Sequence, residues 1–430
     1  MRKFIKIKEK SDVKRLAAVV GFGSGIGALV GLSISIFRKL VVFFQGQMLS
    51  AFDFFRSGWI NVILAILVIG ALGLVVGLLT QKEDMIGGSG IPQVVGQLND
   101  KLEINWKRVF SFKFLGGLIA LSTGLTVGRE GPSVQMGATL GQGVAELSKK
   151  DKEDEKMFMS AGAAAGLAAA FNAPLSGIVF VLEELHQRFD KYLFLIAAAS
   201  ALVADIVAGL FFGSKPVIEI GKTIDVNPKE YIYIIVLAVI VGFLSQFFIK
   251  GIYFVKQRYQ NMKLPVYIKV MIPFLITGIV IIFWEEMFGS GEPFIFLPLI
   301  ENASIKSQVV ILVAKFILLL LAFCSGMPGG IFLPMLVLGS LIGNIFGSSL
   351  FLMGLVGNEF ILAASLIAMA ANFSAIVRSP ITALLLIIEL TGAFSFFLPL
   401  ALAVLISYVI IEMLNIKPVY EILLEMLTKK

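Results

Sequence analysis

The 430-residue chain has one cysteine, Cys324, and one histidine, His186. A single cysteine excludes an intrachain disulfide, and the two counts together exclude a Cys/His metal cluster. With His186 alone no Ser–His pairing is plausible. Glu183 and Glu184 are adjacent, where catalytic carboxylates must face each other across a substrate. The sequence therefore does not read as an enzyme, and no cofactor or metal is expected. Charge is scarce as well, at 15% of residues against about 25% in soluble domains. Polar segments are short. One of them, residues 149–156, holds four charges of each sign and marks a solvated loop. No long soluble domain is visible. Only ten residues follow Tyr420, which leads us to expect no cytosolic regulatory domain.

Apolar sequence is what the chain has in abundance. It is 58% hydrophobic, with a mean hydropathy of +0.93. Residues 16–37, 59–80 and 390–411 are each 22 residues without a charge, and about 20 apolar residues cross a bilayer core. Residues 316–358 are uncharged but too long for one span. They contain Ser325-Gly326-Met327-Pro328-Gly329-Gly330, which predicts two helices joined by a buried loop. The net charge of +7 then reads as cytoplasmic flanks, not as a nucleic-acid surface. Residues 1–15 carry Arg2, Lys3, Lys6, Lys8, Lys10, Lys14 and Arg15 without the apolar core of a signal peptide. They read as a retained cytoplasmic segment of a multi-pass protein of the cell membrane, with both termini cytoplasmic. Gly23-Ser24-Gly25-Ile26-Gly27-Ala28 looks like a dinucleotide-binding turn but lacks a preceding strand. Gly23, Gly27 and Gly31 suit close helix packing in lipid instead.

Three glycine-proline knots interrupt this apolar sequence: Gly88-Ser89-Gly90-Ile91-Pro92, Gly128-Arg129-Glu130-Gly131-Pro132 and Gly330-Ile331-Phe332-Leu333-Pro334. Broken backbone persists in a membrane only where it is buried in protein or lines a polar cavity. Helix N-termini converging there favour an anion. Two halves are also legible. Pro132 and Pro334 are each followed, after four residues, by Gly-small-x-Leu/Ile-Gly: Gly137–Gly141 and Gly339–Gly343. Pro174 and Pro380 each precede a glutamate by nine residues, Glu183 and Glu389. Such repeats, often inverted, build many transporters. The expected domain is single, with repeats at residues 16–213 and 230–428.

Each knot offers a ligand role and a plainer one. The Ser89 hydroxyl, between Gly88 and Gly90 and ahead of Pro92, can donate to an anion or simply cap a short helix starting near Gly90. Glu130, beside Gly131, is a tethered anion that can fill an anion site until protonation releases it. Alternatively it is a cap carboxylate paired with Arg129. Gly330 frees the Ile331 and Phe332 N–H groups to face a ligand, or marks an ordinary loop. Glu183 and Glu184 diverge by about 100° on a helix, so one can face water while the other faces the interior; composition alone favours a solvated helix end for both. Lys113, Lys315, Asp205 and Glu389 read as snorkelling or paired residues, although Lys113 could raise the potential along an anion path.

Taken in order, the three knots resemble the signature of the CLC family of chloride channels and chloride/proton antiporters. Lys417-Pro418-Val419-Tyr420 resembles the family's segment bearing an ion-binding tyrosine, and residues 163–184, with Phe171-Asn172-Ala173-Pro174, are similar too. The resemblance implies an all-α membrane fold of two inverted-topology repeats, with broken helices meeting at a central anion site. It implies a homodimer with one pathway per subunit. It assigns Ser89, Tyr420 and the Ile331 and Phe332 N–H groups to chloride, Glu130 to gating and Glu184 to internal proton transfer. A glutamate at position 184 favours chloride/proton exchange over a passive channel. Ser89 and the residues 330–334 argue against the fluoride-exporting branch. Bromide and nitrate are further candidate anions.

Overall fold

The computed structural model describes residues 10–218, 226–299 and 304–429. Its first half is built from α1 (Lys10–Arg56), α2 (Trp59–Lys82), α3 (Ile91–Leu98), α4 (Trp106–Ser122), α5 (Glu130–Leu147), α6 (Lys152–Phe171), α7 (Pro174–Phe180) and α8 (Lys191–Phe212). The second half runs α9 (Tyr231–Asn261), α10 (Val266–Phe283), a 3₁₀ segment Glu292–Leu299, α11 (Ile305–Cys324), α12 (Phe332–Leu352), α13 (Glu359–Val377), α14 (Pro380–Thr391) and α15 (Phe397–Met413). A last helix, α16 (Val419–Thr428), follows. Nine helices among the described residues are long and apolar enough to cross a membrane.

Packing follows the same plan in both halves. α5 packs on α6 as α12 packs on α13, and α1 lies on α8 as α9 lies on α15. The repeated Gly-small-x-Leu/Ile-Gly motif explains the first of these pairs. A methyl group at Gly137 would collide with the Gly162 carbonyl of α6, and one at Gly343 with the Ala364 carbonyl of α13. Close backbone approach of this kind holds helices together where lipid removes the hydrophobic drive. The same reason accounts for Gly23, Gly27 and Gly31, which lie against Ile196, Ser200 and Ala204 of α8. The halves meet through α2 on α10 and α7 on α14. The fold is all-α, with two inverted repeats.

α1 begins at Lys10, so part of the expected N-terminal segment is helical; Arg2, Lys3, Lys6 and Lys8 lie outside the described residues. Two sequence expectations are corrected. The uncharged stretch 390–411 is not one helix. Gly392, at φ 70°, ends α14, and a short 3₁₀ turn separates it from α15. Lys113 and Lys315 do not snorkel: both are fully buried.

Candidate functional site

Main-chain hydrogen bonds join the three knots. Gly88 N–H donates to the Met327 carbonyl, and Gly329 N–H returns a bond to Gly88. Gly128 and Gly330 exchange N–H···O bonds in both directions at 2.7 Å. A methyl on Gly131 would come within 2.8 Å of the Ser89 side chain, so the first two knots touch as well. The loop before α12 thereby carries backbone polar groups that are satisfied inside the protein, as a broken helix in lipid requires.

Behind this junction sits Lys113 of α4. Its Nζ donates to the Ile86 and Gly88 carbonyls at 2.7 Å each. Lys315 of α11 does the same to Met287 and Gly289 at 2.9 Å. This match exposes a fourth knot that the sequence reading missed: Gly289-Ser290-Gly291-Glu292-Pro293. It repeats Gly88-Ser89-Gly90-Ile91-Pro92 at an offset of 201 residues (289 − 88). The backbone repeats too, with φ of 67° and 90° at Gly88 and Gly90, and 70° and 93° at Gly289 and Gly291. A self-comparison of the chain at an offset near 202, the spacing of Pro132 and Pro334, carries the signal.

The predicted site residues gather where α3, α5, α12 and α16 begin. Ser89 is buried, and its Oγ accepts the Ile91 N–H at 3.3 Å. The N-cap of α3 is Gly90, so Ser89 makes only this bond at the residue before it, and its own O–H remains available to a second acceptor. Glu130, the first residue of α5, is fully buried, and neither carboxylate oxygen has a hydrogen-bond partner. The N–H groups of Glu130 itself and of Leu333 lie close to it, short of hydrogen-bond geometry. The carboxylate thus stands at the first turn of α12, beside Leu333. Arg129 approaches it only at 3.9 Å, and Arg129 Nε has no hydrogen bond. Cap pairing is therefore a weak description of Glu130. Phe332 is fixed by ring contacts to Phe373, Phe171 and Phe180, with centroids 4.4, 5.6 and 6.2 Å away. Tyr420 is buried, its hydroxyl is unpartnered, and the charged groups acting on it are Glu184 and Glu130.

Glu183 and Glu184 occupy a one-turn π-helical segment, Val181–Leu185, after α7. The solvated helix end that composition favoured is not what forms. Glu184 turns inward, and its Oε2 accepts the Ser379 hydroxyl at 2.8 Å. Glu183 caps α14, accepting the Ile381 and Thr382 N–H groups at 2.9 and 2.7 Å and the Thr382 hydroxyl at 2.7 Å. Glu389 caps α7 in return through Leu175 N–H, Ser176 N–H and the Ser176 hydroxyl. Two carboxylates thus tie the repeats reciprocally at helix N-termini, where negative charge is favoured. Charge-assisted bonds contribute about 1.5–3 kcal/mol each. Glu389→Ala removes three of them and leaves three donors without their acceptor; we expect it to destabilise the protein by about 3 kcal/mol. Glu183→Ala should cost a similar amount, and a thermal melt of each purified variant checks both.

The structure also forms a Ser–His contact that the sequence reading held implausible: Ser160 Oγ and His186 Nε2 are 2.7 Å apart. The contact alone does not make a nucleophile–base pair. The Ser160 hydroxyl also lies 2.7 Å from the Lys156 carbonyl, which accepts its proton when the His186 tautomer carries Nε2–H.

Two cavities approach the knots from opposite ends of α4. The larger, about 800 Å³, is bordered by Gly87, Ser325 and Gly326 together with Lys256, Lys269 and Lys417. The other, about 410 Å³, is lined by Leu121, Gly128, Arg129, Glu292 and Leu333.

Residues 72–412 match the family described as voltage gated chloride channel. The chain belongs to that family. Among curated relatives, the protein called H(+)/Cl(-) exchange transporter ClcA from Klebsiella pneumoniae subsp. pneumoniae is 31% identical, over 98% of this chain and 93% of that protein. The protein of the same name from Salmonella agona is also 31% identical, with the same coverage. Among solved structures, the fold superposes on a slow cyanobacterial Cl⁻/H⁺ antiporter with a TM-score of 0.91 at 27% identity, covering 96% of this chain and 98% of that one. A CLC-type fluoride/proton antiporter matches at TM-score 0.80 and 19% identity, covering 95% and 98%; this likeness concerns the fold alone.

Proposed function

We propose that the chain exchanges chloride for protons across a cell membrane, as its named relatives do. The observation that carries this reading is the Glu130 carboxylate, buried without a hydrogen bond at the N-terminus of α12. A carboxylate at that position is a tethered substitute for a free anion. In the proposed cycle a proton neutralises Glu130, weakens its hold on the N–H groups and lets it swing away. Chloride then enters. The Ser89 and Tyr420 hydroxyls and the Ile331 and Phe332 N–H groups take over its coordination. Loss of the proton returns Glu130 to compete with the ion. Gly88, Gly90, Pro92, Gly131 and Gly330 shape the backbone for these donors, and Lys113 and Arg129 supply positive potential.

Glu184 is the proposed internal proton station. It is buried, its hydroxyl partner is Ser379, and Tyr420 senses both Glu184 and Glu130. A passive channel has no use for a buried carboxylate there. Glu184→Gln is expected to cut proton flux by about a hundredfold while chloride still binds; calorimetric titration with chloride checks the second half. Loss of chloride binding would make Glu184 a structural residue.

The basic border of the larger cavity supports a cytoplasmic orientation for that face and for both termini. Exposed apolar residues recur every four positions on α8 (Leu202, Ile206, Leu210) and α15 (Leu405, Val409, Met413), a pattern suited to a homodimer of two complete pathways. Residues 16–213 and 230–428 are the proposed repeats of one transport domain. Bromide and nitrate are chemically close enough to chloride to share the site. In liposomes, a chloride gradient should drive protons uphill. Rapid chloride flux with no proton movement would establish a passive channel instead.

A further inference from the structure

The fourth knot differs from the first in one chemically important place: Glu292 stands where the first has Ile91. Ile91 is fully buried, whereas Glu292 is half-buried and lines the 410 Å³ cavity with Gly128, Arg129 and Leu333. Gly128 and Leu333 are also the residues against which the Glu130 carboxylate rests. The cavity therefore ends against the residues that flank Glu130, which is itself fully buried, and Arg129, Glu292 and Arg38 are charged side chains that act on Glu130.

This cavity opens away from the proposed cytoplasmic face. It touches Leu121 near the C-terminal end of α4. The basic cavity touches Thr80 and Asp84, near the N-terminal end of α4, where Arg108 bonds to Lys82 and approaches Glu83. At about 30 Å³ per water, the outer cavity has room for a chain of several molecules. The charged groups around Glu292 are few. Arg129 lines the same cavity, and Arg38 of α1 interacts with both Glu292 and Glu130. Lys315 of α11 adjoins Gly291 but is held by the Met287 and Gly289 carbonyls. α12 has no titratable side chain, and α13 has only Glu359, at its first position.

We propose that Glu292 is the outer proton station of the exchange cycle, passing protons between the outer solution and Glu130 through the water of this cavity. This rests on the exchange reading above. On one stroke Glu292 in its acid form gives a proton to the Glu130 carboxylate, directly or through water, and is reprotonated from outside. The reverse stroke runs the same transfer backwards, so protons balance and no other reactant is needed.

The test uses full-length protein in liposomes. Wild-type protein must first show chloride-driven proton flux; its absence would defeat the exchange reading and leave Glu292 without a role to test. Given that flux, Glu292→Gln is expected to lower it by about tenfold, at the low end for a positioned acid–base group, and Glu292→Asp to restore most of it. In a Glu130→Gln background, where no proton passes, chloride flux should be the same with or without Glu292→Gln. Undiminished proton flux in Glu292→Gln overturns the proposal. So does a parallel fall of chloride flux in the double variant, which would make Glu292 part of the anion path. If Glu292→Gln does not fold, Glu292→Ile, which installs the residue of the first knot, serves the same comparison.

Discussion

Replacing Glu130 with glutamine is expected to leave chloride moving and stop the protons. The carboxamide has nearly the shape of a protonated carboxyl group and no charge, so it cannot compete with chloride for the N–H groups at the start of α12. Nor can it pick up a proton and release it again. Proton flux should fall at least about a hundredfold, the lower range for removing a positioned acid–base group. Chloride flux should remain within a few-fold of wild type. The measurement is paired chloride and pH recording from liposomes under a chloride gradient. The magnitudes favour this outcome over a structural one. At 3.9 Å and without a hydrogen bond, the Arg129 contact is a weak anchor, so removing the charge should cost little stability. Unchanged coupling would remove Glu130 from the cycle. A large drop in melting temperature with both fluxes lost would restore the cap-pairing reading of Glu130.

The sequence carried the ingredients of the site, because helix breakers in apolar sequence are costly and therefore conspicuous. It did not carry their connections. That Gly128 and Gly330 form a reciprocal hydrogen-bonded pair, or that Lys113 clasps the carbonyls of Ile86 and Gly88, depends on contacts between segments far apart in the chain. Local composition misled at Glu183 and Glu184. Nearby His186, Arg188 and Asp190 read as a solvated end, yet one carboxylate caps a helix of the other repeat and its neighbour turns inward. A one-turn π-helix separates their directions, and such turns leave no periodicity to read. The fourth knot was legible but passed over. It lies outside the long uncharged runs, where a glycine-proline turn looks ordinary until it is set against the first knot and the matched lysines.

Those lysines permit a test that separates scaffold from site. Lys113→Met removes two charge-assisted bonds, about 1.5–3 kcal/mol each, and relieves the burial of an ammonium group. The two effects oppose, so the net loss of stability should be modest, about 1–3 kcal/mol. Lys315→Met alters the same chemistry in the other repeat, with the same two-carbonyl geometry, and should cost a similar amount. Their effects on chloride should differ. Lys113 holds Gly88, next to Ser89, and places a positive charge behind the proposed chloride donors. Lys315 holds Gly289, beside the outer cavity. We expect Lys113→Met to weaken chloride binding by an order of magnitude or more, on the scale of one lost charge at effective dielectric about 20, and Lys315→Met to change it by less than about twofold, within the range of a remote substitution. Chloride titration calorimetry on both variants, each checked for folding by its melt, measures the contrast. Equal losses in both would mean that the clamp acts through global stability. A loss confined to Lys113→Met would mean that two matched clamps differ in what they support: anion binding at Ser89 in one repeat, and backbone structure away from the anion in the other.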